Sequence, residues 1–268
     1  MKIGFIGVGN MAKAIIQGWL NVKAVAPQDM VIHSAHPANY ETYAAQFGLQ
    51  PVADNKTVAA QADILFLAVK PQILPAVLTE IKDPVQQSKP LIVSMASGFS
   101  LAQFAQGLQT DNLKIMRIMP NVNVAINEGM TALAANQNFT PADFEVCRDL
   151  IAKLGQTMQI NEKDFSLFVA LAGSSPAFVY LFIDAMSRAG VKYGFNKKQA
   201  TKIAAQAVLG SAKKVLSSTD KTPFDLIDEV SSPGGTTITG LLAMEDRGFV
   251  SAVVKGIDAT IAKEQGKD

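Results

Sequence analysis

A chain of 268 residues, 49% of them hydrophobic, is long enough to bury one large core or two modest ones. A net charge of +1, a pI near 7.8 and the lack of any basic run or aromatic-interleaved patch exclude nucleic-acid binding from the expected functions. The single cysteine, Cys147, excludes an internal disulfide framework and a cysteine-based metal cluster, and it reads as a small core residue of an amphipathic helix.

The start, Met1-Lys2-Ile3, leads into an apolar strand rather than a cleavable signal. No apolar run approaches the roughly 18 residues that a membrane span needs. A cytoplasmic protein without membrane contact is expected. The first strand, Lys2–Ile6, is followed by Gly7-Val8-Gly9-Asn10-Met11-Ala12 and then by helical periodicity in Ala14–Leu20. This is G-x-G-x-x-A between a strand and a helix. Gly7 permits a tight turn, Gly9 lets a pyrophosphate approach the backbone, and Ala12 lets the helix pack on the strand. The second strand, Met30–Ser34, ends in His33-Ser34-Ala35-His36 without the acid that would hold a ribose 2′-hydroxyl. Nothing there repels a 2′-phosphate. Ser34 offers a hydroxyl and the histidines partial positive charge, so NADPH is favoured, with NADH as the alternative cofactor.

Strand and helix signals alternate to about residue 162. Ile64–Val69, Leu91–Met95, Lys114–Met119, Met130–Ala134 and Thr157–Ile160 read as further strands, and their continuous apolar runs suit a parallel sheet covered on both faces. Ala68-Val69-Lys70-Pro71-Gln72 and Ala96-Ser97-Gly98 follow strand ends, where ligands sit in such sheets, and Lys70 is assigned to the cofactor side. From 163 to 268 the strand signals stop. Alanine-rich amphipathic stretches follow over 165–172, 177–193, 197–216, 223–230, 238–245 and 250–262. Helices with so much apolar surface make a thin domain alone, so burial in a homodimer is expected.

Within that half, Val230-Ser231-Ser232-Pro233-Gly234-Gly235-Thr236-Thr237 runs into the helical stretch beginning at Ile238. Two glycines expose backbone N–H groups, and the helix adds unpaired amides and the positive end of its dipole. The result is an anion site without a basic side chain. Residues 163–268 contain no histidine and no cysteine. A His acid/base couple, a thiol nucleophile and a His-ligated zinc are thereby excluded from that stretch. Hydride transfer to an imine fits what is left, because the nitrogen is itself basic. The protein need only position the double bond and hold the substrate's anionic group, a task the turn at 234–237 can perform.

The chain resembles the Δ1-pyrroline-5-carboxylate reductase family along essentially its whole length. The resemblance rests on the segments 5–12, 66–72, Arg117-Ile118-Met119-Pro120-Asn121, 170–177 and Val230–Thr237, the last being the most specific. It implies an α/β Rossmann-like amino-terminal domain over 1–162 and an all-α dimerisation and substrate-binding domain over 163–268. Dimers of such proteins often assemble into rings of five. It also implies reduction of pyrroline-5-carboxylate to proline by NADPH or NADH, with no metal. Matched residue by residue, Ile6, Gly7, Val8, Gly9, Asn10 and Met11 hold the pyrophosphate; Ser34 and Asn55 lie near the adenosine and its 2′-phosphate. Ala68, Val69, Lys70, Pro71, Met95 and Ala96 flank the nicotinamide. Ser232, Gly234, Gly235, Thr236 and Thr237 bind substrate, and the Thr237 hydroxyl donates toward the ring nitrogen.

The departures are Ser175 for a common glycine, Ser97 for a frequent alanine, and no arginine after the second strand. Two other readings compete. A 3-hydroxyacid dehydrogenase would need a substrate-facing lysine, whereas Lys192, Lys197, Lys198, Lys202, Lys213 and Lys214 are spaced like a solvated face. A non-catalytic NADPH-binding sensor would bind cofactor without turnover.

Overall fold

In the computed structural model, which describes residues 1–267, strand β1 (Ile3–Ile6) lies inside an eight-stranded sheet, with all four of its residues buried. On one side of it lie β2 (Met30–His33) and the two-residue β3 (Gln50–Pro51). On the other lie β4 (Ile64–Leu67), β5 (Leu91–Ser94) and β6 (Ile115–Met119). These strands are parallel and run in the order β3-β2-β1-β4-β5-β6. The order reverses beside β1, the switch point at which doubly wound sheets open a crevice.

The parallel expectation fails at one connection. β7 (Gly129–Ala135) runs antiparallel to β6, with Ile118 opposite Leu133, and β8 (Gly155–Gln159) pairs parallel to β7 at the sheet's edge. The link from β6 to β7 is a short loop around a 3₁₀ turn, Val122–Ile126. A parallel return needs a crossover of about a dozen residues or more, so so short a link turns the chain back on itself.

Helices α1 (Asn10–Asn21), α2 (Pro37–Phe47), α3 (Asn55–Gln61), α4 (Leu74–Ser88), α5 (Leu101–Leu108) and α6 (Pro141–Ala152) cover the sheet. One core joins Ile15, Ile16 and Trp19 of α1 to Tyr40 of α2, Leu150 of α6 and the strand residues Phe5 and Phe66. The other joins Val58 of α3, Leu78 and Ile81 of α4 and Phe104 of α5 to Ile6 and Leu65. The Trp19 indole N–H donates to the Leu150 carbonyl at 2.9 Å, which satisfies the ring's only donor inside the core. Cys147 is a buried core residue of α6, and burial pushes its thiol up to about 12.

Two compact units emerge, Met1–Ser174 with Ile261–Asp268, and Ser175–Thr260. The change of texture read at 163 precedes this division. Helix α7 (Phe165–Phe168) and the π-helical turn Val169–Gly173 belong to the first unit because Phe165 and Phe168 pack with Met119, Ala132 and Ala134 of the sheet.

The second unit holds α8 (Ser175–Lys192), α9 (Lys197–Ser217), α10 (Pro223–Val230) and α11 (Thr236–Asp246), with most of α12 (Phe249–Glu264). α8 and α9 approach closely where both carry small residues: a Cβ added at Gly190 would lie 2.9 Å from the Ala200 Cβ. Asn196 caps α9 and Thr222 closes a capping box on α10 with Asp225. In the single chain Leu181 is 70% exposed, Leu216 79% and Phe224 74%. Apolar surface on that scale calls for a partner.

The sequence holds no unbroken apolar run of membrane-span length, yet within Glu162–Lys192 an 18-residue window reaches a mean hydropathy of 1.8, apolar enough by length and composition alone to cross a bilayer. Polar and small residues such as Ser174, Ser175 and Asp184 break the run to the eye, while the average over a window stays high.

Candidate active site

The first cluster of candidate residues forms where β1, β2, β4 and β5 end. Beyond Ile6 the chain turns at Gly7, whose φ of +93° lies in the region that favours glycine. The Gly7 amide donates to the His33 carbonyl at 2.9 Å, and the Ala68 amide donates to the Ile6 carbonyl at 2.8 Å. The Met95 amide donates to the Leu67 carbonyl at 3.3 Å. These bonds carry the ladder past the strands and gather Ile6–Met11, Ser34, Ala68–Pro71 and Met95–Ala96 along one carboxyl edge. Val8 points into the core and offers only its backbone.

Gly9 is the N-cap of α1, with φ −80° and ψ −174°, no side-chain cap and no acidic residue in the first turn. A Cβ built on it would meet nothing within 4 Å. Open space above a glycine, beside uncapped amides at the positive end of a helix, fits a pyrophosphate.

On the adenosine side the candidates differ in freedom. Ser34 is half-buried just beyond β2. The His33 ring has Nδ1 3.0 Å from the Val52 carbonyl, so this nitrogen carries the proton, and it stands edge-on to Tyr40. His36 is the exposed N-cap of α2. Asn55 opens α3 and its amide donates to Glu80 Oε2 at 2.8 Å. Asp54 caps the same helix, and hydrogen bonds from Thr57 hold its carboxyl below the ordinary carboxylate range.

The loop between β5 and α5 is held by contacts the sequence did not reveal. The Ala96 amide donates to Ser94 Oγ at 3.2 Å, Gly98 takes a φ of +71°, and the Ser97 hydroxyl bonds to Glu264 in the last turn of α12. The Leu101 amide at the far end donates to Glu162 Oε1 at 2.6 Å. The same oxygen takes a bond of 2.8 Å from Arg117, a guanidinium lying 4.5 Å from the centre of the Phe165 ring. Asn121 ties the neighbouring loop down by donating to the Ala172 carbonyl at 3.0 Å. The signal that could have found this network was an arginine in the middle of the otherwise apolar strand Ile115–Met119.

The second cluster lies in the helical unit. Gly234 has a φ of +67° and Gly235 is the N-cap of α11, its amide donating to the Ser232 carbonyl at 3.0 Å. The helix begins at Thr236, ahead of the Ile238 start read from periodicity, which places Thr236 and Thr237 in its first turn with both side chains exposed. As at α1, no side chain caps this helix and its first turn carries no acid. Ser231 Oγ is buried without a hydrogen-bond partner, a polar atom left for a ligand or water. The turn therefore suits a small anion.

Residues 162–267 match the family model described as pyrroline-5-carboxylate reductase dimerisation, and residues 2–98 match the model for NADP oxidoreductase, coenzyme F420-dependent. The chain is 40% identical over 264 residues to the pyrroline-5-carboxylate reductase of Escherichia coli K12, covering 98% of this chain and 97% of that one. The chain belongs to the pyrroline-5-carboxylate reductase family. Solved structures agree. The reductase of Streptococcus pyogenes superposes with a TM-score of 0.88 at 40% identity, over 99% of this chain and 98% of that one. The Plasmodium falciparum enzyme, solved with NADP bound, superposes with a TM-score of 0.89 at 29% identity, over 100% and 98%. This chain is accordingly an oxidoreductase with an NADP-binding Rossmann-like domain and a helical dimerisation domain. The apolar stretch within Glu162–Lys192 falls inside the dimerisation match, which accounts for its hydropathy without a bilayer.

Proposed function

We propose that the chain reduces 1-pyrroline-5-carboxylate to L-proline in the cytoplasm, the last step in making that amino acid, with NADPH as donor and NADH as a poorer substitute. The observation that carries the reading is a pair of helix starts, one in each unit. α1 and α11 both begin on a glycine, uncapped and without an acid in the first turn. By contrast α3, α5, α6, α9 and α10 are all capped by side chains. α2 and α4 also lack a side-chain cap, but each carries a proline in its first turn and so offers one amide donor fewer. Two helix starts on glycine, with their amides bare, are suited to two anions: a dinucleotide pyrophosphate and a substrate carboxylate.

NADPH, when bound, supplies the hydride, which adds to the imine carbon. The protein's part is binding and orientation. Gly7–Met11 hold the pyrophosphate through backbone amides, Ser34 and Asn55 meet the adenosine 2′-phosphate, and Ala68–Pro71 with Met95 and Ala96 seat the nicotinamide. Ser232 and Gly234–Thr236 hold the carboxylate. Thr237 donates a hydrogen bond to the ring nitrogen, which takes a proton from solvent before or as the hydride adds and becomes an amine as the double bond is lost. Such preorganised donors act on charge that changes during the reaction, where they lower the barrier most. Homodimers, five of them forming a ring, cover the apolar faces of α8–α12.

Following nicotinamide absorbance after adding pyrroline-5-carboxylate to the enzyme with each cofactor in turn tests the reading. Proline should form mole for mole with cofactor oxidised, faster with NADPH. Binding of NADPH without any proline formed would overturn it. Sedimentation of the same sample reads the assembly, and a mass of two chains at working concentration would remove the ring.

A further inference from the structure

We propose that Glu264 is a positioning residue for cofactor binding: through Ser97 it holds the β5–α5 loop in the shape that receives the nicotinamide half of NADPH. The middle of the loop has little to fix it from within. Met95 and Ala96 pack against the cores at one end and Phe99 at the other, while between them Ser97 belongs to neither core and Gly98 takes a left-handed conformation. Both of its ends are clamped by polar groups: Ser94 Oγ receives the Ala96 amide, and Glu162, charge-paired with the buried Arg117, receives the Leu101 amide. Between those clamps the Ser97–Glu264 bond is the contact that reaches the middle of the loop.

Glu264 falls inside the match to the dimerisation model, yet spatially the last turn of α12 belongs to the sheet unit. A second bond holds that turn in place, from the Gln265 side-chain Nε2 to Ser166 Oγ at 3.2 Å. The carboxylate is thus presented by an anchored helix end, as a fixed acceptor for a hydroxyl beside Ala96. A charged acceptor bonded to a half-buried hydroxyl contributes enough to bias a glycine-containing loop between conformations.

The proposal rests on the assignment of this loop to the nicotinamide, so the test separates the two. Dissociation constants are measured on the full-length enzyme for NADPH and for adenosine 2′,5′-bisphosphate, which lacks the nicotinamide half. Ser97→Ala and Glu264→Ala should each weaken NADPH by about three- to tenfold while leaving the bisphosphate unchanged. The double variant should be no worse than either single one, and Glu264→Gln, which keeps an acceptor, should retain most of the affinity. Gly98→Val deforms the loop whatever holds it, because a β-branched residue is strained at that φ. If Gly98→Val weakens NADPH but the Ser97 and Glu264 variants do not, the positioning role is overturned and the loop assignment stands. If none of the variants moves NADPH, the loop assignment itself fails. Equal loss of both ligands would reduce the pair to a general structural bond and overturn the proposal as well.

Discussion

A Cβ placed on Gly235 would lie 2.4 Å from Ser232 Oγ and 3.0 Å from the Ser232 carbonyl oxygen. The backbone at Gly235, with φ −77°, would accept any residue. The constraint is therefore one of space: a Cβ makes the Ser232 hydroxyl swing away and presses the Ser232 carbonyl at the edge of allowed contact, and a branched side chain presses harder. Gly235→Val should force the Pro-Gly-Gly turn open and lower kcat/KM by roughly a hundredfold, the cost of misplacing a bound substrate by about 1 Å. The dissociation constant for NADPH should stay within about twofold. Equal losses in cofactor affinity and activity would detach this turn from the substrate.

Thr237 stands in the first turn of α11, where its amide and hydroxyl are both open to a ligand. Thr237→Ala removes one donor and leaves the helix start intact. The expected loss is roughly ten- to a thousandfold in kcat, with little change in NADPH affinity. Thr237→Ser, which keeps the hydroxyl, should recover most of the rate. Unchanged kinetics in the alanine variant would mean that solvent alone protonates the nitrogen.

Gly7 and Gly9 belong to one motif but answer to different forces. At Gly7 the φ is +93° and a Cβ would sit 2.6 Å from the Ala68 carbonyl oxygen, which is backbone and cannot move aside. Gly7→Ala should cost about 2–4 kcal/mol of stability, measurable by urea unfolding. At Gly9 the φ is −80° and the space is open, so Gly9→Ala should fold normally and lose cofactor affinity alone. If both variants unfold at the wild-type midpoint, the tight-turn role of Gly7 is wrong.

The buried Cys147 thiol is pushed up to about 12, chiefly by its removal from water, with nearby Asp143 adding to the effect. A thiol that ionises more readily in the unfolded chain favours the folded state below its ordinary value and withdraws that support as pH rises toward 12. Native enzyme at about pH 8 should resist thiol reagents until it unfolds. Cys147→Ala should flatten the alkaline fall in stability. Rapid labelling of folded protein would place the thiol nearer the surface.

The glycine-rich strand–turn–helix was legible because its determinants are local: a strand, three spaced small residues and a helix fit within 18 residues of Lys2 to Trp19. The Pro-Gly-Gly turn was legible for the same reason. What stayed hidden depends on partners far apart in the chain. Nothing near Leu101 announces that Glu162 will receive its amide, and nothing near Ser97 points to Glu264. β3 escaped notice because Gln50–Pro51 is two residues long and contains a proline. The reversal of β7 was hidden because apolar runs report burial and carry no sign of direction. The engagement of His33 by the Val52 carbonyl and the Tyr40 ring is likewise a contact that no periodicity foretells.

Ser34 is the residue expected to tell the cofactor's two forms apart. It follows β2 at the position where a carboxylate would hold an unphosphorylated ribose, and its half-buried hydroxyl leaves room for a 2′-phosphate. With Ser34→Asp, two negative groups would meet within a few ångströms at a partly screened surface. Such a pair costs about 2–4 kcal/mol, enough to shift the ratio of kcat/KM for NADPH over NADH by at least about tenfold toward NADH. The variant should leave kcat with saturating NADH near the wild-type value, because the nicotinamide and substrate residues are untouched. Raising the salt concentration should shrink the shift, as expected of charge repulsion near solvent. A ratio that does not move, at low salt and with the variant folded, would take Ser34 out of the phosphate site and leave the preference to Asn55 and the neighbouring backbone.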